Sequence, residues 1–166
     1  MEQPSIWLSF NLQTRIDKKQ VKRILIITGP QGSGNHMWSK IFSADQSVKG
    51  WSELLDNYWI GHDRETFADC WNNPELLTPG MFKQHDRFVT SISCPYFNDG
   101  QLSIPKYKQF LDRLRFLNVT PTIAILTRDQ NILRTQQQRV RDQITIDSNK
   151  HHFSYLIDNY DVIFLS

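Results

Sequence analysis

The sequence predicts an α/β fold: a three-layer sandwich in which a mostly parallel central sheet lies between two layers of helices. Apolar runs typical of buried strands alternate along the chain with segments whose apolar residues recur at helical spacing. The run 122–126 carries four apolar residues in a row after Thr122, as expected for a parallel strand covered on both faces. We expect right-handed crossovers to join these strands into one sheet.

The length of 166 residues suits one domain with its own core. We expect an N-terminal extension or edge strand over 1–22 and one α/β domain over 23–166, with a helical insertion or lid over 50–79. The net charge of +2 argues against nucleic acid as a partner, because such binding needs a basic face. The sequence shows no signal pattern and no apolar run of membrane length. The chain is therefore expected to be cytoplasmic, without a membrane partner.

The first strand, loop and helix lie within 23–42. An apolar strand over 24–27 precedes a glycine-rich turn, and a helix follows from Asn35, a plausible N-cap, to about Ser43. This layout gathers backbone N–H groups and a helix N-terminus around one point, which attracts phosphate. Glycine permits positive φ and lets an anion approach the main chain. We predict a phosphate-type ligand here, the alternative being an ordinary tight turn. The predicted ligand-binding residues of this loop are Gly29, Gln31, Gly32, Ser33, Gly34, Asn35 and His36.

The loop is close to the Walker A pattern G-x-x-x-x-G-K-[ST]. Gly29 and Gly34 occupy its two glycine positions, whereas Asn35 replaces the lysine and His36 replaces the hydroxyl residue that binds Mg²⁺. We therefore expect backbone donors to hold the phosphate without the usual cation and metal ligand. Cys70 and Cys94 do not have metal-ligand spacing, so they are expected to be buried apolar residues and no metal site is predicted.

The insertion 50–79 is both polar and aromatic. Helical spacing predicts one helix over 51–59 and another over 67–71, which ends before Pro74. Between them, 62–64 form a dense titratable cluster that a surface turn explains. This block suits a lid or an acceptor-binding insertion over the loop, and plain helical packing explains it equally well.

The second half continues the alternation of strands and helices. The predicted elements are a strand over 87–93, a turn at 98–100, a helix over 104–117, a strand over 122–126, a helix over 130–141, a polar loop over 142–152, a helix over 153–160 and a last strand over 161–165. Proline at 95 ends the first of these strands, because proline cannot continue a central strand.

Arginines cluster where the strand 122–126 ends and on the helix that follows it. Arg128 follows the strand directly, at the edge where open α/β sheets bind ligands. Arg134 and Arg141 are seven residues apart and share a helix face. Arginine forks bind phosphate or sulfate bidentately. We predict Arg128 and Arg134 as ligand contacts, and a solvated basic helix face is the alternative for the later arginines.

Three segments together resemble the sulfotransferase family. The loop QGSGNHMW at 31–38 is similar to the P-K-S-G-T-T-W-L loop that holds the 5′-phosphosulfate in those enzymes. The segment ILTRD at 125–129 resembles their 3′-phosphate segment, a strand ending in R-[DN]-P, and 88–95 can be aligned with their strand ending in T-H-L-P. The resemblance implies 3′-phosphoadenosine 5′-phosphosulfate as cofactor and a sulfuryl group transferred to an acceptor that the sequence does not specify. It also implies that Arg128 binds the 3′-phosphate.

The chain departs from that family at four positions. Gly32 stands for the loop lysine, Ser93 for the catalytic histidine, Gln136 for a serine and Gln130 for a proline. His85 and Ser93 are therefore the predicted catalytic residues, and His62 or His36 could serve instead as the base. A shortened or repurposed relative from a compact, phage-like genome would account for these departures.

The loop also resembles that of P-loop nucleotide kinases, with ATP and Mg²⁺ as the implied ligands. Asn35 and His36 count against this alternative, because kinases need a loop lysine and a metal to neutralise developing charge. Sulfuryl transfer in the resembling family needs no Mg²⁺, so a sulfotransferase-like transferase is favoured. A catalytically inactive nucleotide-binding module is the third possibility.

Overall fold

A computed structural model describes most of the chain. The described residues are 21–45, 47–50, 64–98, 100–147 and 150–166. The predicted edge strand near the N-terminus, the predicted helix over 51–59 and His62 lie outside them. Of the predicted insertion or lid over 50–79, the structure describes Gly50 and 64–79.

Five parallel strands form the central sheet. The strands in chain order are β1 (Lys22–Gly29), β2 (Val48–Lys49), β3 (Arg87–Ser93), β4 (Tyr96–Asn98), β5 (Gln101–Ser103), β6 (Val119–Leu126) and β7 (Val162–Leu165). The sheet order is β2-β3-β1-β6-β7, and every pairing in it is parallel. Strands β4 and β5 form a separate antiparallel hairpin around the predicted turn. The predicted α/β class with a parallel sheet is confirmed.

Helices α1 (Asn35–Ser43), α2 (Tyr107–Phe116), α3 (Gln130–Arg141) and α4 (Lys150–Asn159) flank this sheet. The predicted helix over 67–71 is instead a short 3-10 helix, Ala68–Trp71. An α-helix could not run through Phe67, whose φ of 75° is left-handed, and Pro74 prevents its continuation. None of the helices in the described part of the chain is long and apolar enough to cross a membrane.

Alternate residues of β1 enter two cores, one on each face of the sheet. The larger core joins the strands to α2, α4 and the 3-10 segment, through residues that include Ile24, Ile26, Trp71, Phe110 and Leu156. Trp71 stacks on Phe110 with ring centroids 3.8 Å apart. On the other face, Ile27 packs with residues of the neighbouring strands and with Trp38 of α1. Both faces of the sheet are therefore covered, as its continuous apolar strands require.

Several boundaries differ from the predicted ones. Strand β6 begins at Val119, three residues early, and contains Pro121. Strand β7 pairs with β6 only from Ile123 onwards. Among the described residues, the edge of β6 away from β1 therefore has no strand neighbour at Pro121, and a missing N–H is tolerated there. Helix α4 begins at Lys150, which shortens the predicted polar loop 142–152. Strand β2 was not predicted, because two residues are too few to show a period.

The carboxyl ends of β1 and β3 lie side by side at the centre of the sheet, with Gly29 paired to Ser93. The chain leaves β1 towards β2, on the far side of β3, whereas it leaves β3 towards β6, on the far side of β1. Connections that diverge from two neighbouring strands open a crevice between them, which is where open α/β sheets bind ligands. The glycine loop after β1 lies at this crevice.

Candidate functional site

The loop that joins β1 to α1 needs glycine at three positions. Gly32 and Gly34 have φ of 88° and 100°, in the left-handed region that other residues rarely adopt. A Cβ on Gly29 would lie 2.7 Å from the Ser33 hydroxyl and 3.0 Å from the Leu126 Cβ. The main chain therefore turns tightly between the sheet and the helix, as the sequence predicted.

Several amides of this loop have no protein acceptor. The Ser33 amide donates to the Pro30 carbonyl at 3.1 Å, which closes the turn. The amides of Gly32, Gly34 and Asn35 donate to no acceptor among the residues that the structure describes. Since most backbone N–H groups in folded proteins are paired, three such donors next to a helix N-terminus form a ready anion site.

Asn35 braces the loop instead of capping the helix. Gly34 occupies the N-cap position, and Asn35 is the first residue of α1, with only 3% of its surface exposed. Its Nδ2 donates to the Ser93 hydroxyl at 3.0 Å and to the Gly29 carbonyl at 3.3 Å, and its Oδ1 accepts from the Ser33 hydroxyl at 3.2 Å. The prediction of Asn35 as an N-cap is wrong, because its side chain joins the ends of β1 and β3.

Arg128 brings a positive charge to the loop. Its Nη1 donates to the Gly32 carbonyl at 3.0 Å and to Gln136 Oε1 at 3.2 Å. A guanidinium has five N–H donors, so the remaining ones can contact an anion at the same time. Gln136 therefore positions this arginine.

An open cavity of about 420 Å³ adjoins the loop on the side of α3. It is lined by Arg128, Asn131, Ile132, Thr135, Gln136 and Arg139. Two of these side chains are positively charged and none is acidic, so the cavity favours an anionic ligand. Gln136 connects it to the loop, since a Cβ on Gly32 would lie 3.5 Å from the Gln136 amide.

Gln137 fixes the loop to α3 from behind. It is fully buried, its Nε2 donates to the Gln31 carbonyl at 2.8 Å, and its Oε1 accepts from the Thr145 amide at 2.9 Å. Gln31 is itself 4% exposed, and its Oε1 has no hydrogen-bond partner among the described residues. Buried amide oxygens are normally paired, so this atom is a candidate acceptor for a ligand.

A buried carboxylate beside the loop was not predicted from the sequence. The Glu65 side chain is 0% exposed and accepts hydrogen bonds from the Ser91 amide, the Ser91 hydroxyl at 2.9 Å and the Ser39 hydroxyl at 3.1 Å. His36 Nδ1 lies 3.4 Å from the Ser91 hydroxyl and 3.9 Å from Glu65 Oε2. No motif signals this cluster, because Glu65 is 26 residues from each serine in the chain.

The structure brings most of the predicted site residues together, with two exceptions. His85 precedes β3, at the amino edge of the sheet, where its carbonyl accepts from Lys22 Nζ at 3.0 Å. Arg134 forms an ion pair with Asp147 on the surface. Ser93 lies at the loop, so of the two predicted catalytic residues only this one is near the crevice.

A network of uncharged hydroxyl and thiol groups lies beneath the loop. The Thr28 hydroxyl lies 2.6 Å from the Tyr107 hydroxyl and donates to the Ile92 carbonyl at 2.8 Å. Burial raises the pKa of Tyr107 well above its ordinary value and raises the pKa of Cys94 to about 12. Both groups are therefore neutral near pH 7, so neither adds a negative charge beneath the loop.

Comparison of the chain with protein-family models gives no match, and comparison with curated proteins gives none either. The fold and the site define a parallel α/β protein with an amide-lined loop flanked by arginine at the carboxyl edge of its sheet. Within the described residues, no group of three or more His, Cys, Asp or Glu side chains is placed to hold a metal ion.

Proposed function

We propose that the chain is a nucleotide-dependent transferase resembling sulfotransferases, which moves a sulfuryl group from 3′-phosphoadenosine 5′-phosphosulfate to an acceptor. The observation that carries this proposal is the position of Arg128. Its guanidinium contacts the Gly32 carbonyl of the loop and also lines the adjoining cavity. A ligand with anionic groups at both ends of a ribose would place one group at the loop and the other in the cavity.

The loop suits the 5′-phosphosulfate. The amides of Gly32, Gly34 and Asn35 are unpaired within the described residues and lie where β1 passes into α1. Backbone donors and a helix N-terminus stabilise an anion without a metal ion. The same donors would stabilise the charge that develops on the leaving phosphate oxygen.

The cavity suits the 3′-phosphate, with Arg128 as its first contact. Arg139 lines the same cavity, whereas Arg134 is paired with Asp147. We therefore assign Arg139 as the second arginine in place of Arg134. Two guanidinium groups would hold a phosphate more strongly than one, because each can donate two parallel hydrogen bonds.

Ligand-dependent stabilisation tests the proposal. The product 3′-phosphoadenosine 5′-phosphate, without Mg²⁺ and at about 100 times its dissociation constant, should stabilise the chain by about 2.7 kcal/mol. Arg128→Glu should abolish this stabilisation. The matched control is Arg87→Glu, which reverses an exposed arginine at the amino end of β3 and should leave the stabilisation unchanged.

The alternatives predict different results in the same assay. Stabilisation by ATP only in the presence of Mg²⁺ would favour a nucleotide kinase or NTPase variant. No response to either nucleotide would leave an inactive module whose loop has a structural role. An Arg128→Glu variant that still responds fully would remove that arginine from the binding site.

A further inference from the structure

A second open cavity lies at the amino edge of the sheet, where β1 and β6 begin. Its volume is about 1080 Å³. Lys22 is the first residue of β1 and Val119 the first residue of β6, and both line this cavity. The glycine loop lies beyond the opposite ends of these strands, about 20 Å away at the rise per residue of a parallel strand. The cavity is therefore separate from the anion site.

Much of the cavity wall is apolar. Val119 and Ile123 of β6 line it, and each has only 1% of its surface exposed. Val21 and Ile157 also line it, and they are 58% and 46% exposed. Covering such apolar surface with a ligand lowers the free energy. The volume lies near the upper limit for small-molecule sites, which is about 1,000 Å³.

Both positively charged residues in the cavity wall have acidic partners in the protein. Lys22 Nζ lies 3.7 Å from Asp86 Oδ1. Arg115 Nη1 lies 3.6 Å from Asp112 Oδ1, and its guanidinium carbon is 4.7 Å from the centre of the Tyr160 ring. These contacts offset the two positive charges and hold the arginine against the aromatic ring.

The two acidic residues in the cavity wall are Asp158 and Asp161, and neither forms an ion pair within the described residues. Asp158 lies in the last turn of α4, which contains no basic residue, and Asp161 follows shortly after the helix ends at Asn159. The carboxyl end of a helix carries a partial negative charge, so a carboxylate there is unfavourable unless a cation lies near. The carboxyl end of α2 borders the same cavity through Leu117 and Asn118.

We infer that this cavity binds an organic cation that consists of an ammonium group attached to an apolar body. The ammonium group lies beside the carboxylates of Asp158 and Asp161, at the negative ends of the two helices. The apolar body covers Val21 and Ile157. An anion is disfavoured, because the positive charges of the wall are already offset by acidic residues whereas the carboxylates are not. The inference does not depend on the proposed function, since the glycine loop is at the other edge of the sheet.

Three probes with the same apolar body and different charges test the inference on the full chain. They are naphthylethylamine, naphthylethanol and naphthylacetate, titrated at pH 7 and low salt by isothermal titration calorimetry. The amine should bind about fivefold more tightly than the alcohol, and the acetate most weakly. Added salt should reduce the difference between the amine and the alcohol. No binding of the amine, equal affinities for the three probes or tightest binding of the acetate would overturn the inference.

Asp158→Asn and Asp161→Asn identify the charges that recognise the amine. Each should weaken amine binding about two- to fivefold and leave binding of the alcohol unchanged, because each removes a charge and preserves the size of the side chain. Asp142→Asn is the matched control, since Asp142 is an exposed aspartate at the end of α3 that does not line the cavity. It should change neither affinity. An amine affinity as high in the double variant of Asp158 and Asp161 as in the wild type would reject this assignment.

Ile157→Asn locates the apolar body. Ile157 and Ile163 are equally exposed, at 46%, and of the two only Ile157 lines the cavity. Ile157→Asn should weaken binding of the amine and of the alcohol alike, by about fourfold or more, which corresponds to the loss of one buried methylene group. Ile163→Asn is the control and should leave both affinities unchanged. An Ile157→Asn chain that binds the amine as tightly as the control does would show that the amine binds elsewhere, and the inference would fail.

Discussion

Nη1 of Arg128 lies 3.0 Å from the carbonyl oxygen of Gly32, although 96 residues separate them in the chain. Strand pairing causes this proximity. Strands β1 and β6 are parallel neighbours, with Thr28 opposite Ile125, so the residues that follow each strand emerge at the same edge. Because the register of the sheet brings Arg128 to this edge, the position of its charge does not depend on a flexible segment. Arg128 is therefore well positioned to contact an anion at the glycine loop.

Substitutions at Gly29 and Gly100 test two different requirements for glycine, which are steric crowding at Gly29 and backbone strain at Gly100. Gly29→Ala should destabilise the chain by about 1 to 3 kcal/mol, because the new Cβ would meet the Ser33 hydroxyl at 2.7 Å and the Leu126 Cβ at 3.0 Å. Gly100→Ala should cost about 1 to 2 kcal/mol through its φ of 78° alone, since the new Cβ would have no atom of the described residues within 4 Å. Urea denaturation monitored by tryptophan fluorescence measures both changes.

Gly80→Ala is the control for this pair. Its nearest contact would be 3.6 Å away and its φ is not left-handed, so the midpoint of unfolding should hardly move. Only Gly29→Ala should also weaken the response to 3′-phosphoadenosine 5′-phosphate. Equal midpoints for Gly29→Ala and Gly80→Ala would show that the loop is not packed as tightly as the distances require.

Asn35→Asp changes the hydrogen bonds by which residue 35 holds the loop, while the size of the side chain stays almost the same. The Nδ2 group that donates to the Gly29 carbonyl and to the Ser93 hydroxyl becomes a carboxylate oxygen, which leaves that buried carbonyl without this donor. We expect a loss of about 1 to 3 kcal/mol and a loss of anion binding, because a negative charge would stand among the loop amides. Denaturant unfolding and the nucleotide-dependent thermal shift report the two effects.

Asn72→Asp, at an exposed asparagine after a 3-10 helix, serves as the comparison for Asn35→Asp. It should change stability by less than about 0.5 kcal/mol, as surface substitutions usually do. An Asn35→Asp chain as stable as this control would contradict the bracing role.

The fold could be predicted from the sequence where period and residue type agreed. Strands 24–27 and 87–93 were recognisable as buried runs bounded by glycine or proline, and both are central in the sheet. The segment 67–71 shows where periodicity misleads. Its spacing is helical, but Phe67 has a positive φ and the chain forms only a 3-10 helix. Apolar spacing over five residues cannot distinguish the two.

The sequence predicted only those parts of the candidate site that belong to continuous segments of the chain. A glycine loop between a strand and a helix is a continuous motif, and Arg128 directly follows a buried strand. Glu65 belongs to no motif, and only the packing of α1 against β3 brings it to Ser39 and Ser91. The position of His85 could not be predicted either, because spacing cannot show that it precedes its strand, at the opposite edge of the sheet from the loop.

Gln137→Ala should loosen the loop from α3. The substitution leaves the Gln31 carbonyl and the Thr145 amide without this buried partner, and we expect a loss of about 1 to 3 kcal/mol for each group that is not resolvated. Hydrogen exchange should show faster exchange around the loop. Gln138→Ala removes an exposed neighbour that contacts Asp142, and it should leave exchange in the loop unchanged. Loop exchange that is equally slow in both variants would reject the anchoring role of Gln137.

Because of the buried thiol of Cys94, the free energy of unfolding should depend on pH in the alkaline range. Desolvation raises its pKa from 9.0 to about 12 in the folded chain, so the unfolded chain releases this proton first as the pH rises. The stabilising contribution is therefore complete below about pH 9 and is lost progressively towards about pH 12. Above about pH 9, the thiol of Cys94 should lower the free energy of unfolding by about 1.4 kcal/mol per pH unit.

Cys94→Ala isolates the share of one thiol in that slope. Denaturant unfolding under reducing conditions, at about pH 9.5 and 10.5, should show a slope about 1.4 kcal/mol per pH unit shallower than in the wild type. The slopes of the two chains near pH 7 should coincide, because the thiol is protonated there in both the folded and the unfolded state. Cys70, whose pKa burial raises to about 11, remains in both proteins and cancels from the comparison. If the alkaline slopes of the free energy of unfolding were equal in the wild type and in Cys94→Ala, the thiol of Cys94 would ionise as readily in the folded chain as in the unfolded one. The thiol beneath the loop would then not stay neutral at high pH.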